Sequence, residues 1–109
     1  MLQDGVLLRI YIAESMTIRE TPGYRFLVQY FLNHGMFGCT VYRGMGGFGH
    51  KNEIRTVDVL QFSFDLPVII DVVDSRDKIM AVLPEVETLI EDGMITLQDV
   101  QMIRKVPQE

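Results

Sequence analysis

The sequence predicts a split β-α-β sandwich, four antiparallel strands with both helices on one sheet face. Three observations carry it. The apolar pattern runs strand, helix, strand, loop, strand, helix, strand, so two β-α-β halves follow one another. Each helical stretch is bracketed by its own start and stop residues. The chain, at 109 residues, suits one two-layer core and is too short for two, so residues 1–109 read as a single domain.

The first strand is Val6–Ala13, where Val6, Leu8, Ile10 and Ile12 alternate with Leu7, Arg9, Tyr11 and Ala13. Thr21-Pro22 reads as a helix start, a capping hydroxyl followed by proline at the first helical position. That helix is expected to run to about His34 with Leu27, Val28, Phe31 and Leu32 on one face, and Gly35 ends it. Phe37–Tyr42 is the second strand. Ile54–Phe64 is ambiguous, with a short strand expected near Val57–Phe62, and Asp65-Leu66-Pro67 breaks the chain. Val68–Val73 is a β-branched strand around one acid, Asp71.

Ser75 caps the second helix, whose stripe is Ile79, Val82, Leu83, Val86, Leu89 and Ile90, and Gly93 ends it. Pro84 lies inside this helix. Proline has no N–H for the Met80 carbonyl, so a kink or broken turn is expected there. The last strand falls within Met94–Val106, with Pro107-Gln108-Glu109 as a tail. Two helices cover one sheet face and leave the other bare. The bare face carries Leu7, Arg9, Tyr11 and Ala13, with either Ile69, Asp71 and Val73 or their neighbours from the third strand. It is too apolar for open water yet holds charges, a pattern that predicts cover by sister subunits in a closed ring.

Bulk properties exclude several functions. Hydrophobic content of 48% with 23% charged residues suits a folded soluble domain. No run reaches the roughly 18 apolar residues of a membrane span. The start Met1-Leu2-Gln3-Asp4-Gly5 lacks the basic region of a secretory leader, and a cytoplasmic protein is expected. A net charge of −5 argues against nucleic acid, whose phosphates need a basic face. The single Cys39 makes no internal disulfide, fits a reducing compartment and reads as a buried structural thiol.

The most distinctive segment is 43–51. Four of the nine glycines, Gly44, Gly46, Gly47 and Gly49, fall within six residues, flanked by Arg43, His50 and Lys51. Such a loop is either a hairpin tip or strand bulge, or a backbone concavity that holds an anion. No Gly-Lys-Ser/Thr follows, and the Gly-x-Gly-x-x-Gly at 44–49 has no helix signal after it. Phe48, an aromatic between glycines, requires a burial partner or a stacking ligand.

These residues, taken with the rest, resemble the PII-like family catalogued as domain of unknown function 190. The resemblance spans nearly the whole chain. It is carried by Arg9-Ile10-Tyr11-Ile12-Ala13-Glu14, by Gly38-Cys39-Thr40-Val41-Tyr42-Arg43-Gly44 with Gly47-Phe48-Gly49, by Asp65-Leu66-Pro67-Val68, by Asp71-Val72-Val73-Asp74 and by Gly93-Met94-Ile95-Thr96. It is similar more widely to the PII nitrogen-signalling proteins. That similarity implies a homotrimer of ferredoxin-like (βαββαβ, α+β) subunits with nucleotide bound in the clefts between them.

The Gly-Phe-Gly beside that cleft in PII maps onto Gly47, Phe48 and Gly49. PII also uses a basic glycine-rich loop before its last strand, where this chain has the short, acidic Glu91-Asp92-Gly93-Met94. Arginines at the end of that strand correspond to Arg104 and Lys105. The resemblance thus implies an adenine nucleotide (AMP, ADP or ATP) or a related metabolite, with a smaller or less charged one favoured and none required. The nucleotide-binding candidates are Arg43, Gly44, Gly46, Gly47, Phe48, Gly49, His50, Lys51, Arg104 and Lys105. Signalling through the loop 44–55 to a membrane transporter or an enzyme is the expected output.

Two other classes compete. A metal-responsive trimer of the copper-tolerance type would draw on His34, Cys39 and His50, which show no ligand spacing. A small enzyme would draw on Glu14, Asp71 and Asp74, but a carboxylate at a strand end usually caps a turn or helix, and no Ser/His/Asp or Cys/His set is evident. No catalytic or metal residue is assigned. His34 reads as a cation at a helix C-terminus, and His50 as the histidine nearer the candidate site.

Overall fold

A computed structural model describes residues 1–48, 55–56 and 65–108. The principal elements are β1 (Gln3–Ala13), α1 (Gly23–Asn33), β2 (Thr40–Arg43), β3 (Pro67–Asp74), α2 (Arg76–Leu89) and β4 (Met94–Met102). The four strands form one antiparallel sheet in the order β2-β3-β1-β4. This is the predicted ferredoxin-like α+β sandwich. The short strand expected near Val57–Phe62 lies outside the described residues.

Strand alternation sends Val6, Leu8, Ile10 and Ile12 of β1 inward, opposite Val68, Ile70 and Val72 of β3. Leu27, Tyr30 and Phe31 of α1 and Ile79, Val82 and Val86 of α2 close over them. Each large side chain so buried contributes about 1.5–3 kcal/mol. Because Ile70 pairs with Ile10, the phase of β3 is set: Ile69, Asp71 and Val73 share the bare face with Leu7, Arg9 and Tyr11. The choice left open by the β3 pattern is thereby decided.

The first helix departs from expectation at both its start and its face. Thr21-Pro22 pairs with Thr17-Ile18 in a two-residue antiparallel ladder, so the N-cap is Pro22, with no side-chain cap hydrogen bond. The helix starts at Gly23, whose N–H donates to the Met16 carbonyl at 2.8 Å, and a Cβ there would come within 2.9 Å of the Met16 side chain. The inward stripe is Gly23, Leu27, Tyr30 and Phe31, while Val28 sits at its edge and Leu32 is 69% exposed. Tyr30 takes the inner position because its hydroxyl donates to Glu85 of α2 at 2.8 Å. Burial and then that bond push the phenol up to about 12.

Gly35, at φ +73°, ends the helix as expected. The second strand is shorter than Phe37–Tyr42, because the Phe37 N–H donates to Asp74 Oδ2 at 2.8 Å instead of to a sheet partner. Asp74 is 2% exposed, and its other oxygen accepts from the Ser75 N–H at 2.7 Å. One carboxylate thus ties the start of α2 to the segment between α1 and β2. Ser75 caps α2 through the Lys78 N–H at 3.4 Å. The break expected at Pro84 is absent and α2 is continuous. Pro84 and Met80 both lie on the exposed side, where water reaches the backbone that proline leaves unbonded.

Candidate functional site

At the Ala13 end of the sheet, three segments and a glycine stretch enclose a cleft of about 680 Å³. Its floor is the end of β1 (Tyr11, Ile12, Ala13) with Pro67 and Ile69 of β3. One wall is Gly93, Met94 and Thr96 at the start of β4, with Asp92 before them. The other is Gly44, Gly46, Gly47 and Phe48, and Ser15, Met16 and Asp65 close the rim.

Two glycines make this geometry attainable. The Gly44 N–H donates to the Pro67 carbonyl at 2.7 Å, and a Cβ on residue 44 would stand 2.8 Å from the Pro67 ring. Gly93 passes so near β1 that a Cβ would lie 2.4 Å from the Tyr11 carbonyl oxygen. Gly46–Gly47 pairs with Arg55–Thr56 as a two-residue antiparallel ladder, so the glycine stretch enters a hairpin.

The rim is fastened by polar contacts. Ser15 donates through its N–H and its Oγ to the two Asp65 carboxylate oxygens at 2.8 and 2.6 Å. The Glu14 N–H donates to the Leu66 carbonyl at 2.9 Å, and the Glu14 carboxylate pairs with the Arg43 guanidinium. On the bare sheet face beyond the floor, Arg9 forks onto Asp71 and the Tyr42 hydroxyl donates to the same carboxylate at 3.1 Å. The Arg9 hydrogen bonds hold the Asp71 carboxyl below its ordinary range, against a smaller opposing effect of burial. Partial burial and the bond to Asp71 raise the Tyr42 phenol. Cys39 is half-buried against the core, and burial followed by the Asp71 charge pushes its thiol up to about 11.

Of the residues singled out in the sequence, Gly44, Gly46, Gly47 and Phe48 line the cleft, with Phe48 73% exposed. Arg43 stands beside them, engaged with Glu14. Gly49, His50 and Lys51 lie outside the described residues. Arg104 is elsewhere: its guanidinium sits 3.9 Å over the Phe37 ring, by the Asp74 end of β3, and Lys105 follows it on the surface. The eight residues of β3 put roughly 23 Å between the two ends of the sheet. Within one chain the glycine stretch and the Arg104–Lys105 pair do not meet.

Sequence reading missed Ser15, Met16 and Asp65. Asp65 reads locally as part of a chain break, and its contact with Ser15 spans 50 residues. His34 and Cys39 occupy separate settings, the first stacked on Tyr30 at 4.0 Å with Nδ1 on the Tyr30 carbonyl, the second in the sheet flank. Among the described residues no three His, Cys, Asp or Glu side chains gather to hold a metal ion. No described helix is long and apolar enough to cross a membrane.

The model of the DUF190 family, described as Uncharacterized ACR, matches residues 5–102. A UPF0166 protein of Aquifex aeolicus (strain VF5) is 35% identical over 97 residues, 89% of this chain and 91% of that protein. A UPF0166 protein of Methanocaldococcus jannaschii is 32% identical over 94 residues, 85% of this chain and 86% of that one. Among solved structures, CPII from Thiomonas intermedia K12 bound to ADP and bicarbonate is similar at a TM-score of 0.62 and 17% identity, over 95% of this chain and 93% of that. CPII, a nitrogen regulatory PII-like protein, bound to ADP, AMP and bicarbonate is similar at a TM-score of 0.65 and 17% identity, over 95% and 92%. At this identity the likeness establishes the fold.

Proposed function

The chain belongs to the DUF190 family and has the fold of PII-like proteins, and from that premise we propose that it is a PII-like regulator binding an adenine nucleotide or related metabolite at the glycine-lined cleft. The observation that carries the reading is the wall of Gly44, Gly46 and Gly47 beside the exposed Phe48. Backbone N–H groups without a Cβ in the way approach a ligand closely, and an aromatic ring offers a planar base a stacking partner. The CPII structures, which hold ADP and AMP, support the choice of ligand class.

The active form in this reading is a homotrimer. The bare face, apolar at Leu7, Tyr11, Ile69 and Val73, supports association. A neighbouring copy would also bring a second set of basic residues, Arg104 and Lys105, towards a cleft that one chain leaves without them. Arg43 and Lys51 are the candidates from the same chain. Ligand occupancy is read out through the loop 44–55 by a partner, a membrane transporter or an enzyme, and the protein acts in the cytoplasm without catalysing a reaction. The carboxylates that an enzyme would use are engaged otherwise: Glu14 with Arg43, Asp71 with Arg9, and Asp74 with two backbone N–H groups.

Isothermal titration of AMP, ADP and ATP against the parent, Gly47→Val and Arg104→Ala tests this. A Cβ at Gly47 would find its nearest neighbour 4.0 Å away, but at φ +152° any side chain strains the backbone, so Gly47→Val should lower the folded midpoint and lose binding, with circular dichroism checking that the fold is kept. Arg104→Ala should weaken binding by about 1.5–3 kcal/mol, the scale of a hydrogen bond to a charged group. No heat from any nucleotide would leave the shared fold without the shared function.

A further inference from the structure

The nucleotide reading and the assembly proposed with it are the footing for a connection between the two. We infer that cleft occupancy and subunit association are linked: a ligand on the cleft floor becomes part of the contact between copies, so nucleotide strengthens assembly and assembly strengthens binding. The cleft floor and the bare sheet face are one surface. Register sets Tyr42, Ile69, Tyr11 and Met94 in one row across the four strands, with Thr40, Asp71, Arg9 and Thr96 in the next. Of these, Tyr11, Ile69, Met94 and Thr96 line the cleft. The same side chains therefore serve the ligand and whatever covers the sheet.

The walls and rim stand at the Ala13 end, and towards Arg9 and Asp71 the floor runs on into the open face. Tyr11 and Met94 are 37% and 61% exposed there. A copy laid over an empty cleft would enclose space on the scale of the 680 Å³ cleft, and the side chains lining it would lose packing contacts. A planar base and ribose resting on Tyr11 and Ile69 fill that space, so ligand and second copy favour each other. Charge also suits a second copy. The chain carries a net charge of −5, so copies repel as wholes. On this face, however, Arg9 and Asp71 bond each other, and Leu7, Tyr11, Ile69 and Val73 around them are uncharged. Two copies meet there without setting like charges together.

The test is sedimentation equilibrium of the parent, Leu7→Glu and Gln98→Lys, each with and without saturating ADP. Leu7 and Gln98 stand opposite each other two rows from Tyr11, outside the cleft lining and roughly 13 Å along the strand. Circular dichroism checks each fold, and Gln98, exposed on an edge strand, supplies a folded variant where Leu7→Glu does not. A trimer cleft that binds tenfold tighter lowers the half-assembly concentration by about thirtyfold, through three linked sites. ADP should therefore lower that concentration by about tenfold to thirtyfold. In calorimetry the dilute variants should bind ADP at least about tenfold more weakly than the parent and recover as protein concentration rises, which a local disturbance would not do. Half-assembly unmoved by ADP that calorimetry shows bound would overturn the inference. So would variants that assemble like the parent, or weakened binding that concentration does not restore. Those results would leave the nucleotide reading standing. No heat from AMP, ADP or ATP would remove that reading itself, and the link with it.

Discussion

Arg9 and Asp71 lie directly opposite each other on β1 and β3 and meet through two hydrogen bonds, Nε to Oδ1 at 2.8 Å and Nη2 to Oδ2 at 3.0 Å. The guanidinium fork matches the carboxylate, so this ion pair in the middle rows of β1 and β3 is a well-oriented one. Its surroundings on the bare face are Leu7, Tyr11, Ile69 and Val73. A face so arranged can be covered by another copy without leaving a lone charge behind, which removes the apparent conflict between its apolar character and its charges.

The pair has a pH signature. Arg9 lowers the Asp71 carboxyl in the folded state, so the ionised form favours folding. That contribution is complete above the ordinary carboxylate value of about 4 and is lost as pH falls through the lower folded value. Asp71→Asn should be less stable than the parent at pH 7, and the difference should shrink below about pH 4 in denaturation followed by circular dichroism. Parallel acid profiles for the two proteins would break the assignment.

Assembly is checked by light scattering. The parent at micromolar concentration should give about three times the 12.5 kDa chain mass. Ile69→Glu, which sets a second acid on the bare face near Asp71, should lower that mass while keeping the helical signal. A parent that remains a monomer would speak against the proposed assembly and intersubunit cleft.

Gly93 and Gly38 make a matched pair for stability. A Cβ at Gly93 would strike the Tyr11 carbonyl, whereas one at Gly38 would find nothing within 4 Å. Gly93→Ala should lose about 1–3 kcal/mol in urea unfolding, the usual scale of overpacking. Gly38→Ala should stay within about 1 kcal/mol of the parent. Similar losses at both would mean that close approach is not what residue 93 provides.

Pro84→Ala restores an N–H for the Met80 carbonyl inside a continuous helix. On an exposed face of a continuous helix, the change should raise stability by about 1–3 kcal/mol. A loss on substitution would show that the proline ring makes contacts that outweigh the missing hydrogen bond.

Cys39 should be a slow nucleophile. With its thiol pushed up to about 11, little thiolate exists at neutral pH, and burial limits access. Alkylation by iodoacetamide in the folded protein should run at least roughly tenfold slower than for a free thiol and recover on unfolding in urea. Rapid labelling of the native protein would contradict the half-buried setting.

By itself the sequence determined the order of elements, the inward set of β1 and the helix signals at Ser75 and Gly35, because each depends on a period or a cap within a few residues. It also marked the glycine stretch, whereas the approach of residue 44 to Pro67 that glycine admits was set by the pairing of β2 with β3. Tertiary structure alone decided the phase of β3, where Ile70 must meet Ile10, and the choice of Tyr30 over Leu32, made by Glu85 on the other helix. It likewise decided that Ser15 reaches Asp65 across 50 residues and that Arg104 stands over Phe37 at the far end from the glycines. The physical reason is range. Periodicity and capping are written in neighbouring residues, whereas a contact between distant segments exists only once strand register has set which side chains stand opposite.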